Sequence, residues 1–495
     1  MWVESFLCEL DKERKQILKY KDKVNKITEN YIIFVLNYKT KMQQVSASGW
    51  TCKDLTLYVL IPFLYSVNTR LPFIVYVIET QKMGLPPLLI ATALAVYQGI
   101  RALMQYLQGY SLKFSVFLTR IAFVFGFIGF LVNLLVQDQI FNTSSNTRKI
   151  IFMCGYPLVA ICEILPTIIS IMKFENVNES PEQMRYNYRI MYTWVNFGAA
   201  FAFGIGGTMY AFKGLEGFGI IGTCSAFLGI LATNIYFTFL TDVDTTDVLE
   251  TEELEMEENA AQNTTDNAAI PWIFYCLAIS FGFESMSIGT LLSVGPLFLT
   301  EQYNLSTLGF SMLMAGGEFL GFLLSLLVID NNRRKTFTYF CPNPWTLIVG
   351  LGVVAFADIC FIFNNKIIGC MCQVLIHGVN AYVVGVMIEM QGAVTNPNHV
   401  VYLSSLGQTC RRSMNTCAAF FAPIFYFHVS PRFPFVLIGC GTLLWDIILI
   451  VSFCIDRREL FEYNQQKYNT QIATEKANNQ SWITAHVDKS TNQNI

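Results

Sequence analysis

Apolar residues run along this chain in long blocks, and polar residues interrupt them at nearly regular intervals. The blocks cover 55–80, 84–108, 114–137, 149–172, 188–212, 216–240, 271–299, 306–329, 345–364, 367–391, 400–428 and 434–455. Each is long enough to cross a bilayer, because a hydrocarbon core of about 30 Å takes about 20 helical residues. Lipid offers unpaired backbone groups no partner, so such blocks are expected to be helices. The pattern predicts an all-α polytopic membrane protein with twelve transmembrane helices, in two pseudo-symmetric six-helix bundles. It divides the chain into a cytosolic N-terminal segment 1–53, a bundle 54–240, an acidic cytosolic linker 241–270, a second bundle 271–456 and a cytosolic tail 457–495.

Composition agrees, with 53% hydrophobic and 14% charged residues, where an average globular domain carries about 25% charged. A net charge of −3 excludes a nucleic-acid partner, which needs a basic surface. The first 53 residues hold ten Lys/Arg and no apolar core beside a small-residue cleavage site, so no cleavable signal peptide is expected. Glu9 to Asn30 reads as a helix with a polar face. Tyr31 to Leu36 is apolar but too short to span. With the N-terminus inside, cytosolic segments carry 22 Lys/Arg and external loops six: Lys82, Arg148, Lys149, Lys213, Lys366 and Arg432. That asymmetry follows the positive-inside rule and predicts both termini in the cytosol; the choice between plasma membrane and endomembrane stays open.

Residues 241–270 contain ten Asp/Glu and no Lys or Arg, a one-signed composition expected to stay disordered. The tail, rich in Asn, Gln, Thr and Lys, reads the same way. Most of the fourteen cysteines lie in apolar blocks, where Cys behaves as a small hydrophobe. Cys370 and Cys372, two apart, point to different sides of a helix, so neither a metal nor another cofactor is expected.

Ionisable residues inside a bilayer cost about 2.5–3.5 kcal/mol each on insertion scales, which marks them as functional candidates. Arg70, Glu163, Glu284 and His377 fall near the middle of the first, fourth, seventh and tenth blocks. If the halves repeat, these helices are equivalent and line one central pathway, where repeat-built carriers place their substrate. In the eleventh block Ser404, Gln408, Arg411 and Asn415 follow three-to-four spacing with Arg412 adjacent, which puts them on one face. Asn380 shares a face with His377, and Ser66 with Arg70; Gln98, Tyr97, Tyr192, Trp194 and Asn196 complete a candidate pocket. Arg70 and Arg411 can equally be halves of structural ion pairs with glutamates. Glu318 lies mid-block beside Gly316-Gly317, a candidate partner for an arginine. Arg101, Arg120, Asp358 and Glu389 lie nearer block ends, where long side chains snorkel. Asp446 has no reading. Gly317-x-x-x-Gly321 is expected to let two helices approach closely.

Over residues 54–456 the chain resembles the major facilitator superfamily. The segment SPEQMRYNYRIMYTWVNFGAAFAFGIGG resembles the family's helix 4–5 loop and fifth helix, with Gly198, Ala202, Phe203, Gly206 and Gly207 at the spacing of its antiporter motif. LSSLGQTCRRSMNTCAAFFAPIFYFHVSPRFPF is similar to its eleventh helix, and PWIFYCLAISFGFESMSIGTLLSVGPLFLTEQYNLSTLGFSML to helices 7–8. The family's gating motif is absent from QGYSLKFSVF and survives in the second half only in part, as Asp330, Arg333, Arg334 and Lys335. Phe203 stands where the antiporter motif has Pro, and Ala202 where it has Gly.

The resemblance implies a monomeric carrier in which two bundles rock about a midplane site. The interior Arg70, Arg411 and Arg412 point to a small polar organic solute, anionic or zwitterionic, because guanidinium suits carboxylate and phosphate. Gln98, Asn196, His377, Asn380, Gln408 and Asn415 are the other candidate binding residues. Glu163, Glu284 and Glu318 are candidate proton carriers, with facilitated uniport the alternative mechanism. Two other classes stand beside it: a non-transporting receptor or scaffold of the same fold, and an enzyme. With four His and no Gly-x-Ser-x-Gly, the enzyme class is not expected.

Overall fold

Thr51 and Asp54 open the described chain with a reciprocal cap. The Asp54 N–H donates to Thr51 Oγ1 at 3.2 Å, and the Thr51 N–H to Asp54 Oδ2 at 3.0 Å, the arrangement of a capping box. The computed structural model describes residues 51–108, 112–137, 145–165, 167–169, 171, 181–240, 272–332, 344–394 and 400–454. The helix read at Glu9–Asn30, the linker 241–270 and the tail 457–495 lie outside them. The chain falls into two units dividing between Leu55 and Thr56, and the helices that follow belong to the second.

They are α1 (56–82), α2 (Pro87–Gln108), α3 (Leu112–Gln137), α4 (Ser145–Ala160), α5 (181–213), α6 (215–240), α7 (Trp272–Tyr303), α8 (Thr307–Asn332), α9 (Pro344–Cys360), α10 (Lys366–Val394), α11 (Val400–His428) and α12 (Phe433–Cys454). No strand occurs among the described residues. Eight helical stretches among the described residues are long and apolar enough to cross a membrane, and the chain is an all-α, multi-pass membrane protein. Burial is inverted relative to a soluble protein. Phe212 and Phe239 are each 78% exposed, whereas Glu163, Glu284 and Asp358 are 0% exposed. An apolar surface over a polar interior suits a lipid solvent.

Breaks in the helices follow from the sequence. The helical stretch Ile190–Leu240 has 51 residues, about 77 Å at 1.5 Å per residue, more than twice a bilayer core. It turns at Gly214, whose φ of 63° and ψ of −146° are not helical and suit a residue without Cβ. Past the turn, a Cβ on Gly217 would sit 2.6 Å from the Met209 carbonyl, so the chain folds back on itself.

Within α1, Pro72 lacks the N–H that would bond Asn68, and the helix bends at Leu71 between Ile61–Arg70 and Pro72–Lys82. The bend leaves Arg70 at the end of its first run. After α4 the backbone leaves the helix at Ile161–Ile164. Pro166 in the sequence accounts for this, since its ring would clash with the carbonyl four residues earlier.

Helix packing pairs α1 with α5, α2 with α11, α3 with α4 and α6, α5 with α8, α7 with α11, α8 with α10 and α9 with α10. The small residues of α8 set one of these contacts. A Cβ on Gly317 would lie 2.7 Å from His377 Cβ, and one on Gly321 2.6 Å from Ala381 Cβ. The expected close approach is therefore between α8 and α10, and it carries His377 toward Glu318.

Candidate functional site

Leaving the helix at Ile161–Ile164 exposes the backbone and side chain of Glu163 to neighbouring helices, and α2 supplies most of the response. Arg101 Nε donates to Glu163 Oε2 at 2.6 Å, and Gln105 Nε2 to Oε1 at 3.2 Å. Gln108 Nε2 donates to the Glu163 carbonyl oxygen freed by the break. From α1 the Tyr65 hydroxyl donates to Oε1, and it also accepts from Arg101 Nη2 at 3.3 Å. From α11 Arg412 Nη2 stands 3.4 Å from Oε2. Arg101 also lies over the Tyr97 ring, 5.9 Å from its centroid. One carboxylate thus gathers two guanidiniums, a phenol and one amide from three other helices, and a second amide takes the backbone carbonyl of the same residue.

A second pair joins α7 to α11. Arg411 Nε donates to Glu284 Oε2 at 3.0 Å and Nη2 to Oε1 at 3.4 Å, the two-pronged geometry that holds guanidinium against carboxylate. One residue further along α7 and one turn further along α11, Asn415 Nδ2 donates to Ser285 Oγ at 3.1 Å. A third pair joins α8 to α10, with His377 Nδ1 and Glu318 Oε1 3.1 Å apart.

These three pairs surround a central cavity of about 50 Å3. Its lining includes Arg70, Asn196, Glu318, His377, Asn380, Arg411 and Arg412, together with Arg101, Tyr65 and Tyr192. Arg70 makes no hydrogen bond or ion pair among the described residues, and acts on Glu318 only through space. Four lining residues hold buried polar atoms without a protein partner: Ser66 Oγ, His377 Nε2, Asn380 Oδ1 and Arg412 Nε. Such atoms are rare in protein interiors, and here they share one small space. A wider depression of about 520 Å3, at the end of α1 against the α5–α6 turn, shares no residue with it. Within it Lys82 Nζ lies 2.8 Å from Glu79 Oε1 and 2.9 Å from the Tyr210 hydroxyl.

The candidates named from the sequence distribute unevenly. Arg70, Asn196, His377, Asn380, Arg411, Arg412 and Glu318 meet at the cavity, while Glu163 and Glu284 stand behind it as partners of lining arginines. Gln98, though 2% exposed, and Gln408 and Asn415 do not line it. Asn196 spends its Nδ2 on Ser325 Oγ at 3.1 Å, across α5 and α8. Of the gating candidates, Asp330 lies in the last turn of α8 with its side chain outside the description, and Arg333 and Arg334 lie outside the described residues. The side chains of Ser404 and Glu389 are outside it as well.

Arg101 departs from its sequence reading. It does not snorkel: it is 2% exposed and bound to Glu163. The signal for it was the spacing of Tyr97, Arg101, Gln105 and Gln108, which repeats every three to four residues and forms a polar stripe on α2. Arg120 lies more than two turns inside α3, exposed, and donates to the Phe237 carbonyl at 3.2 Å.

Among the described residues no group of His, Cys, Asp and Glu is arranged to hold a metal ion. Comparison of the chain with protein-family models gives no match, and comparison with curated proteins gives no significant match.

Proposed function

We propose that the chain is a secondary carrier that moves a small anionic or zwitterionic organic solute through its central cavity by alternating access. The observation that carries this reading is the charge count around the cavity. Four arginines (Arg70, Arg101, Arg411 and Arg412) meet three glutamates (Glu163, Glu284 and Glu318), and among the described residues Arg70 is the one of the four without a carboxylate in ion-pair range. With His377 neutral, the surplus is one positive charge. A lone cation in a low-dielectric interior is costly, and a solute carboxylate or phosphate offsets that cost with charge-assisted hydrogen bonds. The partnerless atoms of Ser66, His377 and Asn380 would then read the solute's polar groups.

The helix pairings support two six-helix halves and twelve crossings. Advancing each helix by six turns α1–α5 into α7–α11, α3–α4 into α9–α10, and α5–α8 into α11–α2, all of them packed pairs. This is the arrangement expected of the major facilitator superfamily, and it sets the arginines at the seam between halves. At the far end of α1 the seam is tied: Gln81 Nε2 donates to Glu301 Oε1 of α7 at 2.5 Å, while within the second half the Tyr426 hydroxyl of α11 donates to Oε2 at 2.7 Å. A cavity of about 50 Å3 is far below the roughly 300–1,000 Å3 of pockets that hold drug-sized ligands. In this conformation it admits a few waters, so a solute enters only when the halves part.

The glutamates bear on coupling. Glu163 and Glu284 each hold an arginine in this state, so they take up a proton only if bundle motion breaks the pair. Uniport needs no such step.

The test is solute-dependent stabilisation of the purified protein, using monocarboxylates, dicarboxylates, inorganic phosphate, zwitterionic amino acids, neutral sugars and cations. A solute at a hundred times its dissociation constant stabilises by about 2.7 kcal/mol. The expected result is a rise in Tm with one anionic or zwitterionic class. Stabilisation by cations alone would refute the charge argument.

A further inference from the structure

Outside the cavity a further carboxyl group lies buried with no arginine paired to it among the described residues. Asp358 of α9 is 0% exposed. Its one hydrogen bond among the described residues joins Oδ2 to Ser287 Oγ of α7 at 2.6 Å, while Oδ1 has no partner. Among the described residues no Lys, Arg or His pairs with it.

Among the described residues, its surroundings offer no compensating charge. On α12, Gly439 comes so close that a side chain there would lie 2.9 Å from Asp358 Cβ. Asp446, two turns further along α12, is itself an acid with a partnerless Oδ1. From α10 the thiol of Cys372 is within electrostatic reach, beside Cys360 of α9. On α7, Glu284 sits one turn before Ser287 but is neutralised by Arg411.

An ionised carboxylate in such a place would forfeit its hydration for a single hydroxyl donor. A neutral carboxyl loses far less, since it leaves only a carbonyl-type oxygen unpaired and can share a hydrogen with Ser287 in either direction. We propose that Asp358 is a proton-binding site, filled in this conformation and tied through Ser287 to the helix that carries Glu284. A single turn of α7 then touches three things: Glu284 the arginine of the cavity, Ser285 the amide of Asn415, and Ser287 the bound proton. A shift of α7 that releases Arg411 also moves the hydroxyl on which the proton rests. This assignment does not rest on the transport reading, because the protein with no solute present suffices to examine it.

The experiment is infrared spectroscopy of the full chain in lipid nanodiscs near neutral pH, in H2O and in D2O, with choline chloride as the only salt. The expected result is a protonated-carboxyl band that shifts down in D2O, disappears in Asp358→Asn and persists in Asp446→Asn. If Asp358→Asn does not fold, Ser287→Ala carries the test: losing the hydrogen bond moves the band to higher frequency. An Asp358→Asn spectrum that keeps every protonated-carboxyl band overturns the assignment, as does a Ser287→Ala band that stays in place. Loss of the band when sodium replaces choline would give the site to a metal cation instead.

Discussion

Replacing Glu163 by Ala is expected to cost more stability than any other single change at the cavity. The substitution removes the anion shared by Arg101 and Arg412, which stand 2.6 and 3.4 Å from Oε2 with side chains 3% and 9% exposed. Two guanidiniums would then face each other in a dry interior, with Tyr65 and the Gln105 amide also losing their acceptor. Breaking a buried pair by deleting one partner costs about 3–5 kcal/mol, most of it the penalty of the charge left behind. Glu163→Gln keeps the shape and an acceptor oxygen, so a smaller loss is expected. The arginines are not equivalent. Arg101→Ala strips the closer of the two partners and is expected to destabilise strongly, whereas Arg412→Ala leaves the Arg101–Glu163 bond intact and should cost little. Thermal unfolding of the four variants in one detergent checks the order. Equal losses for Arg101→Ala and Arg412→Ala would refute the division of labour drawn from the distances.

Arg70→Ala is expected to do the reverse: little harm to the fold and a large loss of solute binding. Arg70 holds no carboxylate in hydrogen-bonding range, so its removal orphans nothing. A hydrogen bond to a charged group contributes about 1.5–3 kcal/mol, so the dissociation constant of an anionic solute should rise on the order of ten- to a hundredfold. Arg70→Lys keeps the charge without the planar fork and should fall between. Binding by titration calorimetry, with Tm as the control for folding, separates the two effects. Unchanged affinity in Arg70→Ala at unchanged Tm would remove Arg70 from the site.

Much of the fold was legible because lipid simplifies the problem. A helix that must satisfy its own backbone and bury no charge outside leaves an apolar block of near-fixed length. The blocks at 84–108, 306–329 and 400–428 reappear within a few residues as α2, α8 and α11. The boundary between the blocks ending at 212 and beginning at 216 falls on the turn at Gly214. The block 149–172 does not remain one helix, since Pro166 forces the break that frees Glu163.

Partnerships were harder to see, because they join positions far apart in the chain. Glu163 and Arg101 are separated by 62 residues, Glu284 and Arg411 by 127. Depth within a block suggested that Arg70, Glu163, Glu284 and His377 were central. It could not distinguish arginines that are held by a glutamate from the one that is not. The same reasoning assigned Arg101 and Asp358 to helix ends by position, although each is buried among neighbours that only the packing reveals.

The most direct test of the account is flux of the stabilising solute into sealed vesicles containing the purified chain. Uptake should saturate, accelerate when the vesicles are preloaded with the same unlabelled solute, and fall by about the factor by which Arg70→Ala weakens binding. Binding with no flux in either direction, in vesicles shown to be sealed and to hold folded protein, would contradict alternating access and leave a receptor.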